Sequence, residues 1–95
     1  MRFKPRTDAN QKAVVAELRQ RGYSVMLTQQ LGKGRSDFVV GAPGVNLLVE
    51  LKTDEKQVLT PDELDFHREW KGPLLRAETA DQIADYMKLL GGIFS

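Results

Sequence analysis

The sequence contains no cysteine and a single histidine, His67. Without cysteine, disulfide bonds, cysteine-ligated zinc and a cysteine nucleophile are excluded, and one histidine cannot form a histidine-rich metal site. No apolar run approaches the roughly 18 residues that a membrane span requires, so no membrane partner is expected. Residues 1–6 also lack the apolar stretch of a secretory signal. These features predict a cytoplasmic protein.

The 95 residues are enough for one domain with one modest core. Hydrophobic residues make up 41% of the chain and charged residues 28%, which is typical of a globular protein. No repeat, low-complexity segment or linker interrupts the sequence. Residues 1–95 are therefore expected to form a single domain.

Charge is distributed unevenly along the chain. Residues 1–35 carry eight lysines or arginines and two acidic residues, whereas residues 36–95 carry six basic and eleven acidic residues. A basic segment of this kind predicts a negatively charged partner, of which nucleic acid is the usual one. A solvated basic face without a partner is the alternative. The candidate contacts to DNA are Lys4, Arg6, Lys33 and Arg35.

Hydrophobic periodicity and capping residues predict the order of the elements. Asp8 and Gln11 have the spacing of a capping box at the start of a first helix, and Thr60-Pro61 marks the start of a second. The sequence predicts helices over 8–21, 60–71 and from 79 onward, and strands over 23–28, 36–40, 46–52 and 74–77. The order αβββαβα indicates an α/β fold in which helices flank a small mixed sheet.

The second and third strands are expected to form a hairpin that carries charged side chains. Strand alternation places Glu50 and Lys52 on the same face of the third strand. If Asp37 faces Glu50, the two carboxylates share a face and residues 42–45 form a four-residue loop. Pairing Asp37 with Val49 would put the carboxylates on opposite faces. We favour the first register because it brings the charges together.

Two carboxylates about 5 Å apart on a sheet repel each other, and a hard divalent cation relieves the repulsion. Oxygen ligands suit Mg²⁺ or Mn²⁺. Lys52 would lie beside such a cation and could stabilise an attacked phosphate or position the attacking water. The alternative is an ion-pair cluster on an exposed face, with no metal.

Ser36-Asp37, followed thirteen residues later by Glu50-Leu51-Lys52, resembles the PD-(D/E)xK nuclease signature. More closely, the chain resembles the stand-alone virus-type replication-repair nucleases (the VRR-NUC group), which phages often encode. The resemblance runs from about Asp8 to Leu75. It includes the glycine-rich loop 31–35 and the segment Leu59-Thr60-Pro61 that opens a helix after the third strand.

This resemblance implies a restriction-endonuclease-like core and a Mg²⁺- or Mn²⁺-dependent phosphodiesterase. Asp37 and Glu50 would be metal ligands together with the backbone carbonyl of Leu51, and Lys52 would be the catalytic lysine. Asp8 stands where the family often has a glutamate that helps to hold the metal or its waters; a helix cap is its alternative role. Ser36 replaces the proline of the motif. Glu63 stands where the family commonly has glutamine, and no role is carried over to it.

The function implied is that of a structure-selective DNA endonuclease, similar to Holliday-junction resolvases, acting on branched DNA as a homodimer. A nicking or flap-type nuclease and a DNA-binding module without catalysis are the alternatives. His67 and Trp70 recur at helical spacing after Leu64, which predicts that they pack, with Trp70 in the core.

Overall fold

The computed structural model describes residues 5–52 and 56–91, with side chains from residue 10 onward. Three helices and four strands follow the predicted order αβββαβα. Their bounds are α1 (Pro5–Gln20), β1 (Ser24–Leu27), β2 (Phe38–Ala42), β3 (Val45–Leu51), α2 (Pro61–Glu69), β4 (Leu74–Ala77) and α3 (Ala80–Leu89), with a short 3-10 turn at Gln29–Leu31. None of the described helices is both long and apolar enough to cross a membrane.

The four strands form one mixed sheet in the order β1-β2-β3-β4. β1, β2 and β3 are joined in antiparallel pairs, whereas β4 runs parallel to β3. A parallel pair needs a crossover connection, and α2 lies in the segment between β3 and β4. The architecture is therefore α/β with a small mixed sheet, as the sequence predicted.

The hairpin of β2 and β3 has the register that brings Asp37 toward Glu50. Phe38 pairs with Val49 and Gly41 with Asn46, which confirms the register favoured from the sequence. Ala42 also pairs with Val45, so the predicted four-residue loop is wrong and only Pro43-Gly44 remains in the turn. Gly44 has a φ of +78°, which suits the third position of a type II turn.

The regular ladder ends at Asp37. In the regular ladder the backbone of Asp37 would face β1, where its carbonyl accepts a hydrogen bond from the amide of Thr28 at 2.9 Å. The amide instead donates to the carbonyl of Val49, at 2.9 Å. Asp37, which directly precedes β2, and Phe38 therefore both oppose Val49 of β3, as in a β-bulge, a feature that re-aims side chains and is common beside active sites.

The core lies between one face of the sheet and the helices α1 and α3. It is formed by apolar side chains that alternate along the strands and recur at helical spacing, namely Val14, Val15, Leu18, Tyr23, Phe38, Val40, Leu47, Val49, Leu51, Ala77, Ala80, Ile83, Ala84 and Met87. Because strand side chains alternate, Val39, Leu48 and Glu50 lie on the opposite face. The charged side chain of Glu50 therefore lies on the face of the sheet that α1 and α3 do not cover.

Two helix starts differ in how well the sequence predicted them. Thr60 caps α2 in a complete capping box, with Pro61 at the first helical position, as expected. α1 begins at Pro5, so the predicted cap at Asp8 is wrong, and Asp8 lies inside the helix. The side chains of Arg6 and Asp8 and the whole of Lys4 lie outside the described residues, so their roles in binding DNA or metal stay predictions.

Candidate active site

Glu50 is a charged residue in a buried position. It lies on the sheet face away from α1 and α3, yet only 3% of its surface is exposed. Its Oε1 atom is buried and has no hydrogen-bond partner among the described residues. A buried carboxylate oxygen without a partner is costly, so this atom marks a position where a ligand would be favourable.

Burial raises the pKa of Glu50 to about 9, and the negative charges of Asp37 and Glu63 act in the same direction. Glu50 is therefore protonated at neutral pH when no cation is near. A divalent cation at Oε1 would reverse this, because it favours the ionised carboxylate. In this buried position, the charge of Glu50 would therefore depend on whether a cation is bound.

Asp37 is held beside Glu50 by the backbone of β3. Its Oδ2 atom accepts a hydrogen bond from the amide of Leu51, at 2.8 Å. Burial raises the pKa of Asp37, and the hydrogen bond from Leu51 opposes that rise. The contact fixes the carboxylate at the end of β2, where the sheet ladder shifts by one residue. Leu51 therefore orients Asp37 through its amide, while the metal-binding role of its carbonyl stays a prediction.

Lys52 lies between two carboxylates. Its Nζ atom is 2.8 Å from Oε1 of Glu63 and 3.7 Å from Oε2 of Glu50. The backbone amide of Lys52 donates to the carbonyl of Ala77 at 2.8 Å, which ties the end of β3 to β4. An ammonium group has three N–H donors, and Glu63 accepts one of them. Lys52 can therefore keep this contact and still donate to a phosphate or a water.

Glu63 is the site residue to which the sequence analysis assigned no role. Its Oε1 atom accepts hydrogen bonds from both Lys52 and the backbone amide of Thr60. Burial favours a higher pKa for Glu63, but the hydrogen bonds from Lys52 and Thr60 outweigh it and the pKa is lowered. The capping box that predicted the helix start was the available clue, since it places Glu63 in the first turn after the Glu50-Leu51-Lys52 strand.

His67 lies one helical turn beyond Glu63 and close to the charged cluster. Burial lowers its pKa, with Glu63 and Lys52 acting in opposite directions on it. Its Nε2 atom is buried without a hydrogen-bond partner among the described residues. The imidazole is therefore neutral at pH 7 and lies at the edge of the site, whereas the sequence analysis predicted only packing.

The glycine-rich loop is anchored on α2. Gly32, Lys33 and Gly34 all have positive φ angles, and Gly34 approaches so closely that a Cβ atom there would lie 2.4 Å from the backbone of Asp62. The glycine at position 34 is thus required for packing against the first turn of α2. Lys33 and Arg35 remain exposed on the loop, in positions suited to phosphate contacts.

The charge balance of the site favours a cation. Among the described residues, Asp37, Glu50 and Glu63 place three carboxyl groups around the ammonium of Lys52. Among the residues described, no group of three histidine or acidic side chains is arranged to hold a metal. Mg²⁺ is commonly bound by one or two carboxylates, with water and phosphate oxygens as the other ligands. Two carboxylates, one with an unpartnered buried oxygen, fit that requirement.

Comparison of the chain with protein-family models, curated proteins and solved structures gives no match. Function must therefore be inferred from the residues of the site and their surroundings.

Proposed function

We propose that the protein is a Mg²⁺- or Mn²⁺-dependent endonuclease that hydrolyses phosphodiester bonds in DNA. The observation that carries the proposal is the buried Oε1 atom of Glu50, which has no partner among the described residues and lies next to Asp37 and Lys52. Acids facing a phosphate are unfavourable unless a cation lies between them. The sequence motif and the restriction-endonuclease-like order of elements are consistent with this activity.

In this proposal Asp37 and Glu50 hold the cation, with the carbonyl of Leu51 as a further ligand and Asp8 as a candidate aid to the metal or its waters. The bound ion supplies charge neutralisation and a more acidic water. Lys52 donates a hydrogen bond to a phosphate oxygen, where negative charge grows as the water attacks. Glu63 keeps Lys52 in place through the 2.8 Å contact.

DNA is the proposed substrate because the basic groups lie on the segment that leads into the site. Lys33 and Arg35 precede Asp37 and are exposed, and Lys4 and Arg6 add charge in the same third of the sequence. Lysine and arginine contacts to phosphates position nucleic acid without reading its sequence. A carboxylate site beside these groups would receive the backbone of a bound strand.

A Holliday-junction resolvase-like activity is the more specific form of the proposal. A four-way junction is roughly two-fold symmetric, and paired cuts need two active sites. Each chain supplies one set of Asp37, Glu50 and Lys52, so the active form would be a homodimer. A monomer that nicks DNA or removes flaps is the alternative, and phage or bacterial cytoplasm is the proposed setting.

The test is a cleavage assay on plasmid, four-way junction and flap DNA with Mg²⁺, Mn²⁺ or EDTA. We expect cleavage with either metal and none with EDTA. Lys52→Ala should lower the single-turnover rate by about 10²-fold or more, by analogy with removal of one oxyanion donor. Lys88→Ala, at an exposed lysine on α3, is the matched control and should cut like the wild type.

Metal binding is measured separately by calorimetry with Mn²⁺. Glu50→Gln and Asp37→Asn should abolish or strongly weaken binding, whereas Asp85→Asn on α3 should not. DNA binding without cleavage under any metal condition would assign the chain to the non-catalytic binding modules. Cleavage by Lys52→Ala at the wild-type rate would remove the proposed role of the Glu50-Leu51-Lys52 motif.

A further inference from the structure

Three side chains form a contiguous aromatic and cationic surface outside the carboxylate cluster. The guanidinium carbon of Arg35 lies 5.1 Å from the centre of the Phe66 ring. The rings of Phe66 and Trp70 are stacked, with centres 5.5 Å apart and planes inclined by 29°. Arg35, Phe66 and Trp70 are called the aromatic platform below.

The exposure of Trp70 is the unexpected feature of the platform. The sequence analysis predicted Trp70 in the core, but 46% of its surface is exposed. It follows the last residue of α2 as the C-cap, and none of the residues of α2 itself is buried. The ring is stacked on Phe66 and lies against Gly72, and its exposed part is suited to contact a ligand.

The platform is connected to the proposed active site through α2 and through the loop that precedes Asp37. Glu63, Phe66 and Trp70 follow one another at spacings of three and four residues, so they lie along one side of α2. At a rise of 1.5 Å per residue, Trp70 is roughly 10 Å along the helix from Glu63. Arg35 is two residues before Asp37, and Gly34 abuts the first turn of α2.

We propose that the aromatic platform stacks an unpaired nucleobase a few nucleotides from the cleaved phosphate. This deepens the proposed nuclease function and rests on it: the substrate class would be DNA with unpaired bases near the cut. Every base has a flat face that stacks on aromatic rings, and arginine adds attraction to the base and its phosphate. Bases inside a duplex are already stacked on both sides and cannot reach the platform without being flipped out.

The geometry favours a strand end or branch over continuous duplex. A distance of roughly 10 Å corresponds to about three stacked base steps at 3.4 Å per step. Because Glu63 contacts Lys52 of the site, a strand whose phosphate lies at the carboxylates could place a base on Trp70 a few nucleotides away. Arg35 and Lys33, both exposed, supply positive charge on the same side.

Trp70 is the only tryptophan of the chain, so its fluorescence reports on the platform alone. The experiment titrates the full-length protein in EDTA with an unpaired thymidine oligonucleotide, a forked duplex and a fully paired duplex of equal length. We expect the oligonucleotide and the fork to quench the fluorescence, and the paired duplex to quench it much less. Equal quenching by all three, or none, would overturn the proposal.

Affinity of labelled forked DNA, measured by anisotropy, provides the second readout. Phe66→Leu and Trp70→Leu remove the rings but keep apolar side chains, and each should weaken binding to the fork by about fivefold or more. Leu89→Ala, at a residue 81% exposed on α3, is the control and should bind like the wild type. Unchanged affinity in both ring variants, with circular dichroism showing that they fold, would refute the platform.

The outcomes separate this proposal from the nuclease assignment. Because the titrations are made in EDTA, quenching by unpaired DNA without any metal-dependent cleavage would support the platform and refute the nuclease. If Phe66→Leu and Trp70→Leu cleave DNA at the wild-type rate and bind forked DNA with the wild-type affinity, the nuclease assignment is supported and the platform is refuted. Fluorescence of Trp70 that changes with protein concentration in the absence of DNA would assign the surface to contacts between two copies and overturn the proposal.

Discussion

Replacing Glu50 by glutamine should stabilise the metal-free protein at alkaline pH. The substitution keeps the size of a buried side chain and removes its titration. The pKa of Glu50 is raised from 4.5 to about 9, chiefly by burial. Between these values the folded state binds more protons than the unfolded state, so the free energy of unfolding falls as the pH rises. Glu50→Gln lacks this dependence.

The size of the effect follows from the proton difference. One full proton lowers the free energy of unfolding by about 1.4 kcal/mol per pH unit. Solvent relaxation around the acidic pair reduces the effect, and we expect roughly 1 kcal/mol over two pH units. In a domain of this size about 1 kcal/mol shifts the Tm by roughly 4–8 °C. The Tm of the wild type should therefore fall by several degrees as the pH rises over this range, whereas the Tm of Glu50→Gln should not show this fall.

The assay is differential scanning calorimetry in EDTA from about pH 6.5 to about pH 8.5, a window chosen from the shifts of the other groups. The pKa values of Glu63 and His67 are lowered, so both titrate below it. Asp37 shifts in the same direction as Glu50, and Asp37→Asn measures its share. Glu69→Gln, at an exposed carboxyl on α2, is the control. A flat wild-type profile, or a Glu50→Gln variant less stable than wild type at the alkaline end, would refute the reasoning.

Four further outcomes are expected. Gly34→Ala forces a Cβ atom against the backbone of α2 at a positive φ, and chemical denaturation should show a loss of about 2 kcal/mol or more. Glu63→Ala removes one half of the capping box of α2 and the contact to Lys52, so it should cost about 1 kcal/mol and, under the proposed function, lower cleavage, whereas Glu63→Gln should keep the capping contact and more of the activity. Lys33→Ala with Arg35→Ala should reduce the slope of DNA affinity against salt by about one to two ions, measured by anisotropy, and leave single-turnover cleavage at saturating enzyme largely intact. Light scattering should give twice 10.7 kDa, and a strict monomer on junction DNA would refute the paired-cut form of the proposal.

The order of elements was predictable because local rules decide it. Thr60 and Thr79 mark helix starts by their caps, and apolar alternation marks the strands. The register of the hairpin was predicted on the assumption that Asp37 and Glu50 share a face, and the observed pairing has that register. The shift at Asp37 was not predictable, because it depends on a side chain that takes the Leu51 amide from the sheet ladder.

Tertiary placement limited the remaining predictions. Glu63 joins Lys52 only because α2 returns over the end of β3, and no local pattern measures that distance. Trp70 was expected in the core because tryptophan is large and apolar, but it follows a short helix that buries none of its residues. The packing of Gly34 against α2 could not be foreseen for the same reason, because no local pattern gives the distance between the loop and the helix.

Changes of chain length at Pro43-Gly44 are constrained by residues at the far end of the hairpin. Surface turns usually tolerate insertions and deletions. This turn sets the pairing of β2 with β3, and slippage by a single residue exchanges the two faces of a strand. Such slippage would turn Glu50 toward the apolar interior and Leu51 into the polar cluster. The Pro43-Gly44 turn lies roughly 20 Å from the carboxylates. We therefore expect an insertion or deletion in this turn to disrupt the site as severely as a substitution of the acidic residues would.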